Sequence, residues 1–162
     1  MKSRYNLLFV CMGNICRSPA GENIFRHVVK KAGLSGQIHC DSAGTIGMHS
    51  GKKPDARMSK TIRRRGYEVT GHARQFGRRD FELFDLILTM DHENYQNVMN
   101  LAGSEEERAK VRNFTDFCTQ HDHREVPDPY YGGDDGFQLV ADLIEDGADG
   151  LLDHVKNSLK QP

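Results

Sequence analysis

Cys11-Met12-Gly13-Asn14-Ile15-Cys16-Arg17-Ser18-Pro19 is the stretch from which the rest of this chain can be read. The apolar run Leu7-Leu8-Phe9-Val10 stands before it, and a helical repeat of apolar residues begins at Ala20 behind it. A short continuous apolar run closed by a Gly-containing turn suits a strand buried on both faces. Pro19 suits the first position of a helix, with Ser18 before it as N-cap. The stretch is therefore predicted to be a strand–loop–helix whose loop wraps over a helix N-terminus. Backbone N–H groups and the positive end of the helix dipole meet there, which favours an anion. A cysteine in that setting is favoured as its nucleophilic thiolate. Arg17, across the loop from Cys11, can grip two oxygens of a phosphate with its planar fork. Nucleophile, amide cradle and guanidinium together describe a site that cleaves phosphate esters.

Downstream, Ala20, Ile24, Val28 and Phe25, Val29, Ala32 recur at helical spacing, and Gly33 supplies a stop. Ile38 to Asp41 is a short strand ended by Ser42-Ala43-Gly44. Asp55 to Arg65 reads as a helix stopped by Gly66, with Val69 to Phe76 as loop. Leu86-Ile87-Leu88-Thr89-Met90 is a buried strand after a helical turn at Asp80 to Phe84, and Asp91 caps a helix to about Ala102. Val111 to Phe114 is a weaker strand, followed by a polar loop through His121-Asp122-His123 to Tyr131. The last helix starts near Asp135, which is paired with Gln138 as a cap, and turns Phe137, Val140, Ile144, Ala148, Leu151, Leu152, Val155 and Leu159 inward. Strand and helix alternate throughout, which predicts an α/β fold with a parallel sheet and helices on both faces. Ligands in such folds sit outside the carboxyl ends of the strands, where Cys11, Ser42, Asp91 and the Asp128 loop all fall.

The chain has 162 residues, a length for one domain spanning 1–162, and 37% hydrophobic residues fit a globular core. A formal net charge of -1 points to neither nucleic acid nor an anionic membrane as partner. The four cysteines, at 11, 16, 40 and 118, are scattered unlike a disulfide framework, so a reduced, cytoplasmic setting is expected. Four apolar residues after Lys2 and Arg4 are too few for a signal peptide, and no stretch approaches the roughly 20 apolar residues of a membrane span.

Cys-x5-Arg-Ser with Gly13, Asn14 and Pro19 in place resembles the low-molecular-weight protein tyrosine phosphatases. So do Asp41-Ser42-Ala43-Gly44-Thr45, Pro54-x-Ala-Arg57, Gly71-His72-Ala73-Arg74-Gln75, Met90-Asp91 and Asp128-Pro129-Tyr130-Tyr131, in family order over essentially the whole chain. The resemblance implies a three-layer fold whose four parallel strands lie in the order 2-1-3-4. It implies hydrolysis of phosphotyrosine and small aryl phosphates through a phosphocysteine on Cys11, with Arg17 on the phosphoryl oxygens and Asp128 as general acid and then base. Met12, Gly13, Asn14, Ile15, Cys16 and Ser18 would line the phosphate site, with Met48, Tyr130 and Tyr131 around the substrate ring. Asn14, Ser42 and His72 would brace the loop, and Ser18 would stabilise the Cys11 thiolate. Cys16, which the hydrolysis does not need, would trap an oxidised Cys11 as a disulfide; packing beneath the loop is its other reading.

No cofactor or metal is implied, a phosphotyrosine-containing protein is the expected partner, and a monomer is the default state. His121-Asp122-His123, even with Cys118, lacks a fourth zinc ligand and reads as polar loop. Ile15 favours phosphotyrosine over phosphoarginine, since the related protein-arginine phosphatases place Thr there, whereas Met48 stands where the family often has an aromatic. Lys52, Lys53 and Arg57 read most simply as a solvated basic face, with attraction of acidic sequence around a phosphotyrosine as the alternative. Arg63-Arg64-Arg65 reads as a helix end facing water. The rival activity is arsenate reduction on the same fold, which needs a further cysteine pair where only Cys40 and Cys118 remain. A catalytically silent phosphotyrosine-binding module is the rival from outside enzymology, and it would need no nucleophile.

Overall fold

The computed structural model describes residues 4–130 and 132–160. Its strands are β1 (Tyr5–Cys11), β2 (Ile38–Gly44), β3 (Leu86–Thr89) and β4 (Val111–Asn113), all parallel, in the order β2-β1-β3-β4. The helices are α1 (Arg17–Lys31), α2 (Ala56–Arg64), α3 (Asp80–Leu83), α4 (His92–Leu101), α5 (Glu105–Ala109) and α6 (Asp134–Lys160), with a 3-10 turn at Phe114–Phe117. β1 explains the layering. Its side chains alternate between faces, so Leu7, Phe9 and Cys11 join the core under α1, α2 and α6, while Leu8 and Val10 join Phe76, Phe81, Ile87 and Val98 opposite. Both faces are covered, which is why the strand reads as an unbroken apolar run. No helix among the described residues is long and apolar enough to cross a membrane.

Cα pairing aligns Cys11 with Gly44 at the carboxyl ends of β1 and β2, and Val10 with Thr89 near the end of β3. The parallel register therefore brings residues 11, 44 and 90–91 to one edge of the sheet. Gly21 lets α1 lie flat against that sheet, because a Cβ there would meet Phe9 Cδ1 at 2.7 Å.

Several element expectations are corrected. α1 starts at Arg17, two residues before Pro19, and Ser18 does not cap it; the N-cap position is Cys16, without a side-chain bond. Pro19 is tolerated one turn in, since the first N–H groups of a helix have no intrahelical partner. β2 runs on to Gly44 because Ser42, Ala43 and Gly44 pair with Phe9, Val10 and Cys11 at the end of β1. α5 and the 3-10 turn stand where the sequence shows no apolar period, and α5 buries no residue. Its one local signal was a capping box, with Ser104 accepting the Glu107 N–H at 3.1 Å. Gln138 does not pair with Asp135; its Oε1 accepts from Arg65 at 2.6 Å. Arg65 accordingly faces α6 rather than water, with Asp142 at 2.8 Å and Glu145 at 2.5 Å.

Candidate active site

The loop between β1 and α1 is built around Asn14, the one non-glycine residue among those described with a left-handed backbone, at φ 59. That conformation costs roughly 1–2 kcal/mol for an ordinary residue. Asn14 offsets the cost with a saturated side chain: Nδ2 donates to Ser18 Oγ at 2.8 Å and Ser42 Oγ at 2.9 Å, and Oδ1 accepts the Arg74 N–H at 3.0 Å. Gly44 is required behind the loop, since a Cβ there would lie 2.8 Å from the Met12 carbonyl oxygen.

The carbonyls of this loop are spent outward. Thr45 N–H donates to Cys11 O, Ile46 N–H to Met12 O, Asp55 N–H to Ile15 O and Ala20 N–H to Cys16 O, at 2.7 to 3.1 Å. In a trans peptide the N–H points opposite to the C=O. The N–H groups of Met12, Gly13, Cys16 and Arg17 therefore turn to the other side, the inside of the loop. Among the described residues the amides of Met12 to Cys16 donate to no protein acceptor. Unspent amides turned in around one thiol, those of Met12, Gly13 and Cys16 among them, form an anion cradle.

Cys11 Sγ lies 3.0 Å from Ser18 Oγ. Ser18 Oγ already accepts from Asn14, so its proton is free for the sulfur; the Ala43 carbonyl, at 3.4 Å, is the more distant acceptor. Arg17 is 3% exposed, and its NH1 donates to Asp91 Oδ2 at 2.5 Å and to the Val126 carbonyl at 3.0 Å. Burial works against the guanidinium charge, but Cys11, Asp91 and Asp128 outweigh it and hold its pKa above the ordinary arginine value. Asp91 divides its labour: Oδ1 accepts the Asn94 N–H at 2.7 Å as the cap of α4, while Oδ2 holds Arg17. Arg17 NH2 stands 3.8 Å from Asp128 Oδ2, the side chain of Asp128 being 38% exposed. Asp128 is set at the sheet edge because Val126 N–H bonds the Met90 carbonyl at 2.7 Å, and its Oδ1 accepts the Tyr130 N–H at 3.0 Å.

Cys11, Arg17 and Asp128 face one cavity of about 230 Å³, which Met12, Gly13, Ile15, Cys16, Met48 and Tyr130 also line. Met48 sits on the rim, 75% exposed. Tyr131 lies outside the described residues. Cys16 is buried beneath the loop, and burial, reinforced by Asp55, Cys11 and Asp128, pushes its thiol far up. His72 is corrected. It lies exposed beside the small hollow under the loop and bonds neither Asn14 nor Ser42 among the described residues. The buried carboxylate of Glu22, reaching from α1, accepts from Ser42 Oγ at 2.6 Å instead and also pairs with Arg26. Sequence reasoning thus missed Glu22 and the Arg17-holding role of Asp91, and it missed Ile46 and His49 as further lining of the cavity.

The other two cysteines stand away from this cavity. Cys40 is buried beside the Glu22 carbonyl and Cys118 beside that of Leu143, and burial pushes each thiol up to about 12. His121 Nδ1 is 2.8 Å from Asp146 Oδ2, and among the described residues no three His, Cys, Asp or Glu side chains are grouped to hold a metal ion. A larger cleft of about 460 Å³ beside α1, at Arg26 and Glu68, contains no cysteine.

A parallel sheet carrying a cysteine–arginine anion loop at its strand ends defines the class of cysteine-dependent phosphatases. The sequence matches the family described as low molecular weight phosphotyrosine protein phosphatase over residues 6–161. A relative in Synechocystis sp., a putative low molecular weight protein-tyrosine-phosphatase, is 51% identical over 90% of this chain and 93% of its own. A crystal structure of a protein tyrosine phosphatase from Entamoeba histolytica superposes with a TM-score of 0.92 at 42% identity, covering 95% of this chain and 98% of that one. YfkJ from Bacillus subtilis does so with a TM-score of 0.90 at 39% identity, covering 98% of each. The chain belongs to the low molecular weight phosphotyrosine protein phosphatase family.

Proposed function

We propose that this chain, a single domain, hydrolyses phosphotyrosine in proteins, and small aryl phosphates, through a phosphocysteine intermediate. One observation carries the reading: a buried thiol, loop amides without protein acceptors, a fixed guanidinium and a partly exposed carboxylate share one cavity. Cys11 Sγ attacks phosphorus while Arg17 and the loop amides hold the non-bridging oxygens, whose charge they stabilise most at the transition state. Asp128 gives its proton to the departing phenol oxygen, so tyrosine leaves neutral. The same carboxylate then takes a proton from water, whose oxygen attacks the phosphocysteine and releases inorganic phosphate. Ser18 stabilises the sulfur as nucleophile and as leaving group through the 3.0 Å contact. Ile15 and Tyr130 supply apolar wall for a flat ring. Cys16 is the resolving thiol for oxidised Cys11. No cofactor enters, and the protein acts as a cytoplasmic monomer without nucleic acid or membrane as partner.

The test is turnover of p-nitrophenyl phosphate and of a phosphotyrosine peptide. Wild type is expected to hydrolyse both. Cys11→Ser is expected to hydrolyse neither yet still bind phosphate, because cradle and Arg17 remain. Steady hydrolysis by Cys11→Ser would mean that the nucleophile lies elsewhere.

A further inference from the structure

Arg57, Lys60 and Arg64 follow one another at helical spacing along α2, which places them on one face of it. Together with Phe137, Asp134 and the Gly132-Gly133 backbone they line a groove of about 220 Å³. Arg57 joins this groove to the catalytic cavity. Its guanidinium carbon lies 5.3 Å from the centre of the Tyr130 ring and 4.8 Å from that of Phe137, and NH1 donates to the Tyr130 carbonyl at 3.1 Å. Tyr130 lines the cavity, so cavity and groove share a wall.

The three cations differ in how far they are already engaged. Arg57 is paired with Asp55 at 3.1 Å and fixed by the two rings. Lys60 and Arg64 are exposed and have no ion pair among the described residues. Asp134 is the one carboxylate in the lining against these three positive groups. In a chain of net charge -1 this is a local concentration, beside a cavity whose ligand is itself anionic.

We propose that this groove is a binding subsite for acidic residues flanking the phosphotyrosine of a protein substrate; the proposal rests on the phosphatase reading given above. The phosphoryl group anchors the peptide in the cradle, and the chain leaving the cavity past Tyr130 lays Asp or Glu side chains against Lys60 and Arg64. Such exposed pairs are individually weak and screened by salt, so they bias the choice of substrate without trapping product. The groove thus sets sequence preference, and the cradle sets reactivity.

The experiment compares kcat/KM for three phosphotyrosine peptides identical except for Glu, Gln or Lys at the flanking positions. Wild type at low salt is expected to favour the Glu peptide over the Gln peptide by about 3- to 10-fold, mainly through KM, with the ratio approaching one in 0.5 M salt. In Lys60→Gln/Arg64→Gln the ratio is expected to fall near one, and in Lys60→Glu/Arg64→Glu the Lys peptide is expected to become the better substrate. Each ratio is taken within one variant, so any general loss of active protein cancels. Equal ratios in wild type and both variants overturn the proposal. So does loss of binding to anionic phospholipid vesicles in the variants with peptide preference unchanged, which would assign the face to a membrane surface. If wild type turns over neither peptide nor p-nitrophenyl phosphate, it is the phosphatase reading that fails.

Discussion

Asp128 stands 3.8 Å from Arg17 but 38% exposed, so its carboxyl meets both the cavity and water, as the acid-then-base role proposed for it requires. Asp128→Asn is expected to lower kcat with phosphotyrosine by about 10²–10⁴-fold. The loss should shrink steadily along a series of aryl phosphates with more acidic phenols, which need less protonation; an equal loss across the series would remove Asp128 from the role. Cys16 poses a different question. Burial and the negative groups around it, Cys11 among them, keep it a thiol. Peroxide converts a Cys11 thiolate to neutral sulfenic acid with loss of hydroxide, which removes one of those charges. In the resolving role proposed for it, the Cys16 thiol would then displace water from that sulfenic acid to form a disulfide. Wild type treated with peroxide is expected to regain activity with dithiothreitol and Cys16→Ser to regain much less. Equal recovery, with peptide mapping that finds no Cys11–Cys16 link, would leave Cys16 as packing alone. At this scale the sequence was most legible where chemistry and spacing coincide, at Cys11 and Arg17. It read Asp91 as a helix cap and no more, because nothing local distinguishes a helix cap from a cap that also holds an arginine 74 residues away.

Among the elements, α6 does more than cover the sheet. The carboxylate of Asp146, 3% exposed, accepts the N–H groups of Thr119, Gln120 and His121 at 2.9 to 3.1 Å and so pins the start of the segment that carries Asp128. Burial alone would raise the pKa of Asp146, but these backbone bonds and His121 outweigh it and hold the carboxyl far below the ordinary range. A lowered folded pKa gives stability that is fully present above the unfolded value of about 3.9 and lost as pH falls through the folded one. Asp146→Asn is therefore expected to cost on the order of 2–3 kcal/mol at neutral pH. Thermal unfolding of both proteins between pH 2 and 7 should show the gap narrowing below pH 4; a constant gap would refute the assignment. The sequence announced α6 through its apolar period, whereas this anchor was invisible, because an acid on a helix looks solvated until its loop is in place. The short α5 went unread for a related reason. It buries no residue and so leaves no apolar period in the sequence.

For the molecule as a whole, the alternation of strand and helix predicted the layers, but the order β2-β1-β3-β4 came from likeness to a family and not from any local signal. What the order achieves is convergence, since the loop after β1 meets the end of β2 on one side and of β3 on the other. The partners of Asn14 and Ser18 come from Ser42, Ala43 and Arg74, whereas Arg17 is held by Asp91 and Val126 from the far side. That division has a consequence for what substitutions on either side of the site can alter. The first half of the chain supplies the anion loop and its amides, the second half holds Arg17 through Asp91 and Val126, and the segment 127–130 carries the carboxylate proposed to protonate the leaving group. Substitutions confined to 127–130 are therefore expected to change which alcohols are released while phosphate affinity stays nearly unaltered, whereas substitutions at Asp91, which holds Arg17, are expected to change both.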